Sequence, residues 1–202
     1  MGIQSLTGFT ANTPKHYLID AAVVYKGLTY AAVGGFTGTL VGATQGGVTV
    51  SIEQEYRHPE VDGTAVIDGK VEGNVILQRA AASAVINLKE ITADNLGLSL
   101  NTTPVNALET EAPTGYKKIT TKRTVASGDY LTNLAIVGTI SGSTQPIIAI
   151  LDKPLCKGGV EIGTAENGET VLELTFEANA TATQLASEEF PWRILFPPIT
   201  AA

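Results

Sequence analysis

The 202-residue chain predicts a mainly β fold: a β-sandwich or barrel with one short flanking α-helix and long assembly loops. Three observations predict it. From Val48 to Glu55, Val48, Val50 and Ile52 alternate with Thr49, Ser51, Glu53 and Glu55. Side chains of a strand point to opposite faces in turn, so this is a ribbon with one apolar face and one polar, acidic face. Two turn signals, Ser141-Gly142-Ser143 and Asn167-Gly168, each lie between apolar runs and read as hairpins. Only one stretch, Ala93 to about Leu100, carries helix signals.

Taken in order, residues 1–18 read as a flexible arm and 19–197 as one β domain. Ile19 to Lys26 is an apolar strand ended by Gly27. The Val48–Glu55 ribbon follows a glycine-rich turn and runs into Tyr56–Lys70, a mobile loop with Pro59, Gly63 and Gly69. Val71 to Glu90 carries two strands, one with Val75 and Leu77 on a face, the other with Ile86 and Leu88. The helix has Thr92 as N-cap, because its hydroxyl accepts from a free first-turn N–H. Asp94 favours the positive dipole end, and Ile91 with Leu96 fits a hydrophobic staple. Asn95 in place of Glu or Gln leaves the reciprocal box incomplete. Eight residues are marginal as an isolated helix, so Leu96 and Leu100 must pack on a sheet. Residues 101–115 form a second mobile loop; loops of that length are usually functional or disordered. Tyr116–Thr124 reads as a polar strand. Leu131–Ile140 with Gln145–Leu151, and Val160–Gly163 with Thr170–Ala178, read as the two hairpins. In the last arm Leu172, Leu174 and Phe176 oppose Glu173, Thr175 and Glu177. Phe190–Phe196 is a terminal strand closed by Pro197-Pro198, and 198–202 form a tail.

Composition narrows the function. Thirteen basic against twenty acidic residues give a net charge of −7, which argues against gripping nucleic acid through its phosphates. No apolar run reaches membrane-spanning length, and MGIQSLTGFT has neither a signal-peptide pattern nor a myristoylation pattern, so no membrane partner is expected. The single Cys156 has no internal disulfide partner and reads as a small core residue.

Catalytic clusters are absent from the sequence. GATQGG and GGFTG lack the Lys-Ser/Thr of a phosphate loop, and no G-x-S-x-G elbow occurs. His16 and His58 are far apart, and one Cys cannot complete a zinc site. No metal, cofactor or catalytic residue is expected. Glu53 and Glu55 share a strand face, which reads as solvated rather than as a cleft-facing acid pair. Trp192 and Arg193, in FPWRILFP, are either core residues of the last strand or anchors of a subunit contact, where Trp and Arg are enriched.

Four segments, in this order, resemble the tail tube (major tail) proteins of long-tailed bacteriophages: GATQGGVTVSIEQEYRHPEVDG, INLKEITADNLGLSL, NLAIVG with PIIAILDK, and LELTFEANATATQLASEEFPWRILFP. They cover most of Leu40 to Pro197. The resemblance implies a structural virion protein whose six copies form a ring. Neighbouring copies would pair strands around a central channel, and rings would stack into the tube through which DNA is ejected. It also implies as partners the chain itself, the tail tip, tail terminator and tape-measure proteins, and DNA passing without specific binding. The implied location is the virion tail, after synthesis in the host cytoplasm. In that setting Glu53, Glu55 and Glu72 are candidates to face the lumen. Arg57, His58, Glu60 and Asp62 are candidates for an inter-ring loop, and Trp192 and Arg193 for a subunit contact. The inner tube of a contractile tail or a type VI-like apparatus is an alternative. A monomeric ligand-binding β-barrel is an alternative of another class; it would want an apolar pocket, which an aromatic content of 6% supports poorly.

Overall fold

The computed structural model describes residues 8–64, 67–68, 70–164 and 169–199. Its strands are β1 (Leu18–Ala31), β2 (Gly35–Leu40), β3 (Thr44–Arg57), β4 (Ile76–Leu88), β5 (Val105–Asn106), β6 (Lys117–Lys118), β7 (Asn133–Ile140), β8 (Ile147–Asp152), β9 (Leu155–Lys157), β10 (Leu172–Glu177) and β11 (Trp192–Leu195). Two short helices, α1 (Ala93–Ser99) and α2 (Ala182–Ala186), flank them. The fold is mainly β, with antiparallel pairing throughout. A five-stranded sheet has the order β11-β8-β7-β1-β2, a four-stranded sheet β3-β4-β10-β9, and β5-β6 stand apart.

Alternation explains why the two large sheets face one another. Ala84, Ile86 and Leu88 of β4 lie on the same face as Leu172, Leu174 and Phe176 of β10. They meet Val24, Leu134, Ile136 and Leu151 of the five-stranded sheet in one core. Each such aliphatic or aromatic side chain contributes about 1.5–3 kcal/mol when fully buried, and Phe176, Ile86, Leu88, Leu134, Leu151, Leu172 and Leu174 all are.

A second, smaller core covers the other face of the five-stranded sheet, where Leu28 meets Ala135, Ile148 and Ile150. β1 reaches that face through a break in its register with β2 between Lys26 and Thr29. Gly27, at φ 65°, takes the left-handed conformation the bend needs. The bend removes Leu28 from ladder pairing, and the buried Asn133 side chain substitutes for a strand. Its Nδ2 donates to the Leu28 carbonyl at 2.9 Å, and its Oδ1 accepts from the Leu28 N–H at 2.7 Å.

Several expected elements come out differently. Val71–Glu90 holds one continuous strand, β4, because a register shift opposite Glu55 and Tyr56 absorbs the change of phase between Leu77 and Ile86. The expected strand at 116–124 shortens to β6, two residues paired only with β5. Val160–Gly163 form no strand; β10 pairs instead with β9 and β4. The Asn167-Gly168 turn lies outside the described residues. Of the helix, the Thr92 cap is as expected, accepting from Asn95 N–H at 3.1 Å. Leu96 and Leu98, rather than Leu100, pack on the core. β2 and α2 were not expected; α2 has a complete capping box of Thr181 and Gln184.

Replacing Asn133 by Ala strands both Leu28 backbone groups. Each costs about 1–3 kcal/mol when buried and unpaired, so the urea midpoint of Asn133→Ala should drop clearly. A midpoint equal to the parent's would show that Asn133 does not hold the bend.

Candidate functional site

The four-stranded sheet gives its apolar face to the core and presents the other to solvent. On that open face Glu53 stands opposite Ala81 and Glu55 opposite Arg79. Glu53, Gln54 and Glu55 surround Arg79, and further along Lys157 pairs with Glu177. Both ends of the sheet are edges: β9, of three residues, and β3, of fourteen, whose second side pairs with no strand among the described residues. An unpaired strand edge is a template for another chain.

β3 and β4 also run past the sheet. β10 reaches β4 only over Ser83–Leu88, so Glu53–Arg57 and Ile76–Ala81 form a two-stranded ribbon with no third strand. Such ribbons are marginal alone, and this one leaves Tyr56 and Ile76 about half exposed. Arg57 ends β3, exposed and opposite Ile76. In the connecting loop His58 and Pro59 are half-buried, Asn74 Nδ2 donates to the Pro59 carbonyl at 2.6 Å, and Glu60 and Asp62 are exposed. His58 Nδ1 is buried with no hydrogen-bond partner among the described residues. Residues 65, 66 and 69 of this loop lie outside the description. Glu72 sits in the turn before β4, away from the sheet face that carries Glu53 and Glu55.

Trp192 and Arg193 lie on β11. The Trp192 ring stacks on Phe190 at 6.0 Å, and its Nε1 is buried and unpartnered among the described residues. Arg193 donates to both Asp152 carboxylate oxygens, at 2.9 and 2.7 Å, and Gln184 Nε2 donates to the same carboxylate at 2.9 Å. Asp152 therefore ties β11 and α2 to β8.

Between the sheets, a cleft of about 650 Å³ opens where β1 and β3 diverge. Leu18, Ala22, Val48, Val50, Ile147 and Ile194 give it an apolar lining, and among the described residues Asp20 is the one charged residue on its wall. Asp20 has φ 64°, unusual for a residue with a side chain, inside a bulge between Ile19 and Val23.

Surface area gives the same picture in total. The chain exposes 13,798 Å², whereas a compact monomer of 21.0 kDa exposes about 9,000 Å². Val33, Leu185, Leu18, Tyr30 and Leu108 are among the large apolar side chains left exposed.

No family model and no curated protein matches the chain. Among solved structures it is similar to a chain in the cryo-EM structure of the anti-feeding prophage baseplate, six-fold symmetrised. The identity is 15% and the TM-score 0.38, over 89% of this chain and 95% of that one.

Among the described residues no group of three His, Cys, Asp or Glu is placed to hold a metal ion. Cys156 is buried on β9, beside Phe176 of β10, and burial pushes its thiol up to about 11, so it is protonated near neutral pH. Two acids are drawn down by neighbouring lysines: Glu111 by hydrogen bonds from Lys118 and the Leu108 N–H, and Asp129 by those from Lys122 and the Ala126 N–H. Sequence reasoning missed the cleft, because its lining comes from β1, β3, β7, β8 and β11 and forms no linear motif. Asp20 had no signal of its own, since its conformation depends on pairing with β7.

Proposed function

We propose that this chain is a structural virion protein whose copies join head to tail into hexameric rings, which stack into the tail tube that conducts DNA. The observation that carries the reading is the long open edge of β3 beside an apolar cleft. A contact between two different surfaces of neighbouring copies closes into a ring when its rotation allows. Adding strands at β3 would extend the four-stranded sheet from copy to copy and remove its edge. The polar outer face of that sheet would then line the channel, with Glu53 and Glu55 as repeated negative charge. Arg57, His58, Glu60, Asp62 and Glu72, at the end of the ribbon, would reach the next ring. The tail tip, terminator and tape-measure proteins are the partners of such a tube. A monomeric ligand-binding barrel would close the cleft; here it stays open between β1 and β3, which favours assembly.

Concentrated purified protein should show rings or hollow tubes in negative-stain micrographs. Protein that stays monomeric at every concentration and salt tested would sink the reading. The lining charge has its own test. Tubes of the parent should not retain short duplex DNA, whereas tubes of Glu53→Lys/Glu55→Lys should retain it at low salt and release it at high salt, as phosphate contacts do. Variant tubes that ignore DNA would place these residues on the outer wall.

A further inference from the structure

The proposed self-assembly leaves open what fills the apolar cleft, and the structure assigns that place to the β5–β6 hairpin of a second copy. Three observations lead there. First, the hairpin is an isolated two-stranded sheet, paired to neither large sheet, and such a pair is marginal in water. Val105, Leu108 and Tyr116, on or beside it, are each more than half exposed.

Second, the charges match. Of Lys117, Lys118, Lys122 and Arg123, Lys118 is paired with Glu111 and Lys122 with Asp129, which leaves Lys117 as the exposed cation of the hairpin strands. Lys117 Nζ uses one of its three donors, on Asn106 Oδ1 at 2.6 Å. The cleft offers apolar walls with the single carboxylate of Asp20. Apolar side chains carrying a lysine fit that lining; a purely apolar or an acidic segment would leave Asp20 unpaired or repelled.

Third, the hairpin leaves the body at the right edge. Asn101, at its base, brackets the backbone of Cys156 in β9: Nδ2 donates to the carbonyl at 2.7 Å and Oδ1 accepts from the N–H at 2.9 Å. Its approach to α1 is equally tight, because a Cβ on Gly97 would stand 2.7 Å from the Thr102 carbonyl and 2.8 Å from the Pro104 ring. The hairpin therefore starts at the β9 edge of the four-stranded sheet, while the cleft opens beside β3 at the other edge. Copies joined edge to edge bring one copy's hairpin against the next copy's cleft. The contact is between unlike surfaces and propagates around a ring, and it buries surface of the kind the lone chain has in excess.

Cross-linking tests this directly. Ala21 lines the cleft and is exposed, and Lys117 is exposed on the hairpin; Cys156, buried and protonated, stays silent. Assembled mixtures of Ala21→Cys and Lys117→Cys, treated with a short bis-maleimide, should give dimers that neither variant gives alone. Asp20→Asn keeps a residue type that tolerates the left-handed conformation and should raise the critical concentration for assembly at least about threefold, roughly the loss of one exposed ion pair. Rings or tubes that form without the mixed cross-link, or an Asp20→Asn variant that assembles at the parent's concentration, would overturn the hairpin's role and leave the tube reading standing. A parent that never assembles removes both.

Discussion

Everything in this fold depends on the two-residue alternation of β4 and β10. It places Ala84, Ile86, Leu88, Leu172, Leu174 and Phe176 on one face of a sheet, and only the five-stranded sheet offers an apolar surface to meet them. A shift of one residue in that pairing would exchange every core side chain for Val85, Asn87, Glu173 and Thr175. The pairing also fixes what is left over. With one face of the four-stranded sheet committed to the core, the opposite face is polar, and β3, at the end of the order, keeps an unpaired side.

How much of this was legible in the sequence follows from how local each signal is. The β3 alternation, the Thr92 cap and the β7–β8 hairpin are each written in adjacent residues, and each is present. The β9–β10 pairing was not legible, because Leu155–Lys157 is three residues long and its partner lies across a loop. A strand that short has no periodicity to read. The bend at Gly27-Leu28 depends on Asn133, more than a hundred positions away, so nothing local announces it. Of the candidate residues, Glu53 and Glu55 stay together because they are two apart on one strand. Glu72 lies elsewhere because β4 starts only at Ile76. The cleft needs five strands in place before it exists.

The leftovers belong together physically. A fourteen-residue open edge, a two-stranded ribbon, an isolated hairpin and an apolar cleft each carry a cost in a lone copy, through unpaired backbone groups or wetted apolar surface. Monomers usually blunt such features with charge, proline or a covering loop. Here, among the described residues, the wall of the cleft carries one charged residue, Asp20, and between Lys26 and Glu53 the sequence has no charged side chain. The proposed assembly would cover these features with other copies of the chain.

That claim, that β3 is completed by another copy, is tested most directly by amide hydrogen exchange over Thr44–Arg57 in dilute and in assembled protein. Alternate amides of β3 point away from β4 and should exchange quickly in the dilute subunit. On assembly they should slow at least about tenfold, the effect of an opening free energy raised by about 1.4 kcal/mol, while Ser83–Leu88 of β4, flanked by β3 and β10, change little. Equal exchange of β3 in both states would contradict the account.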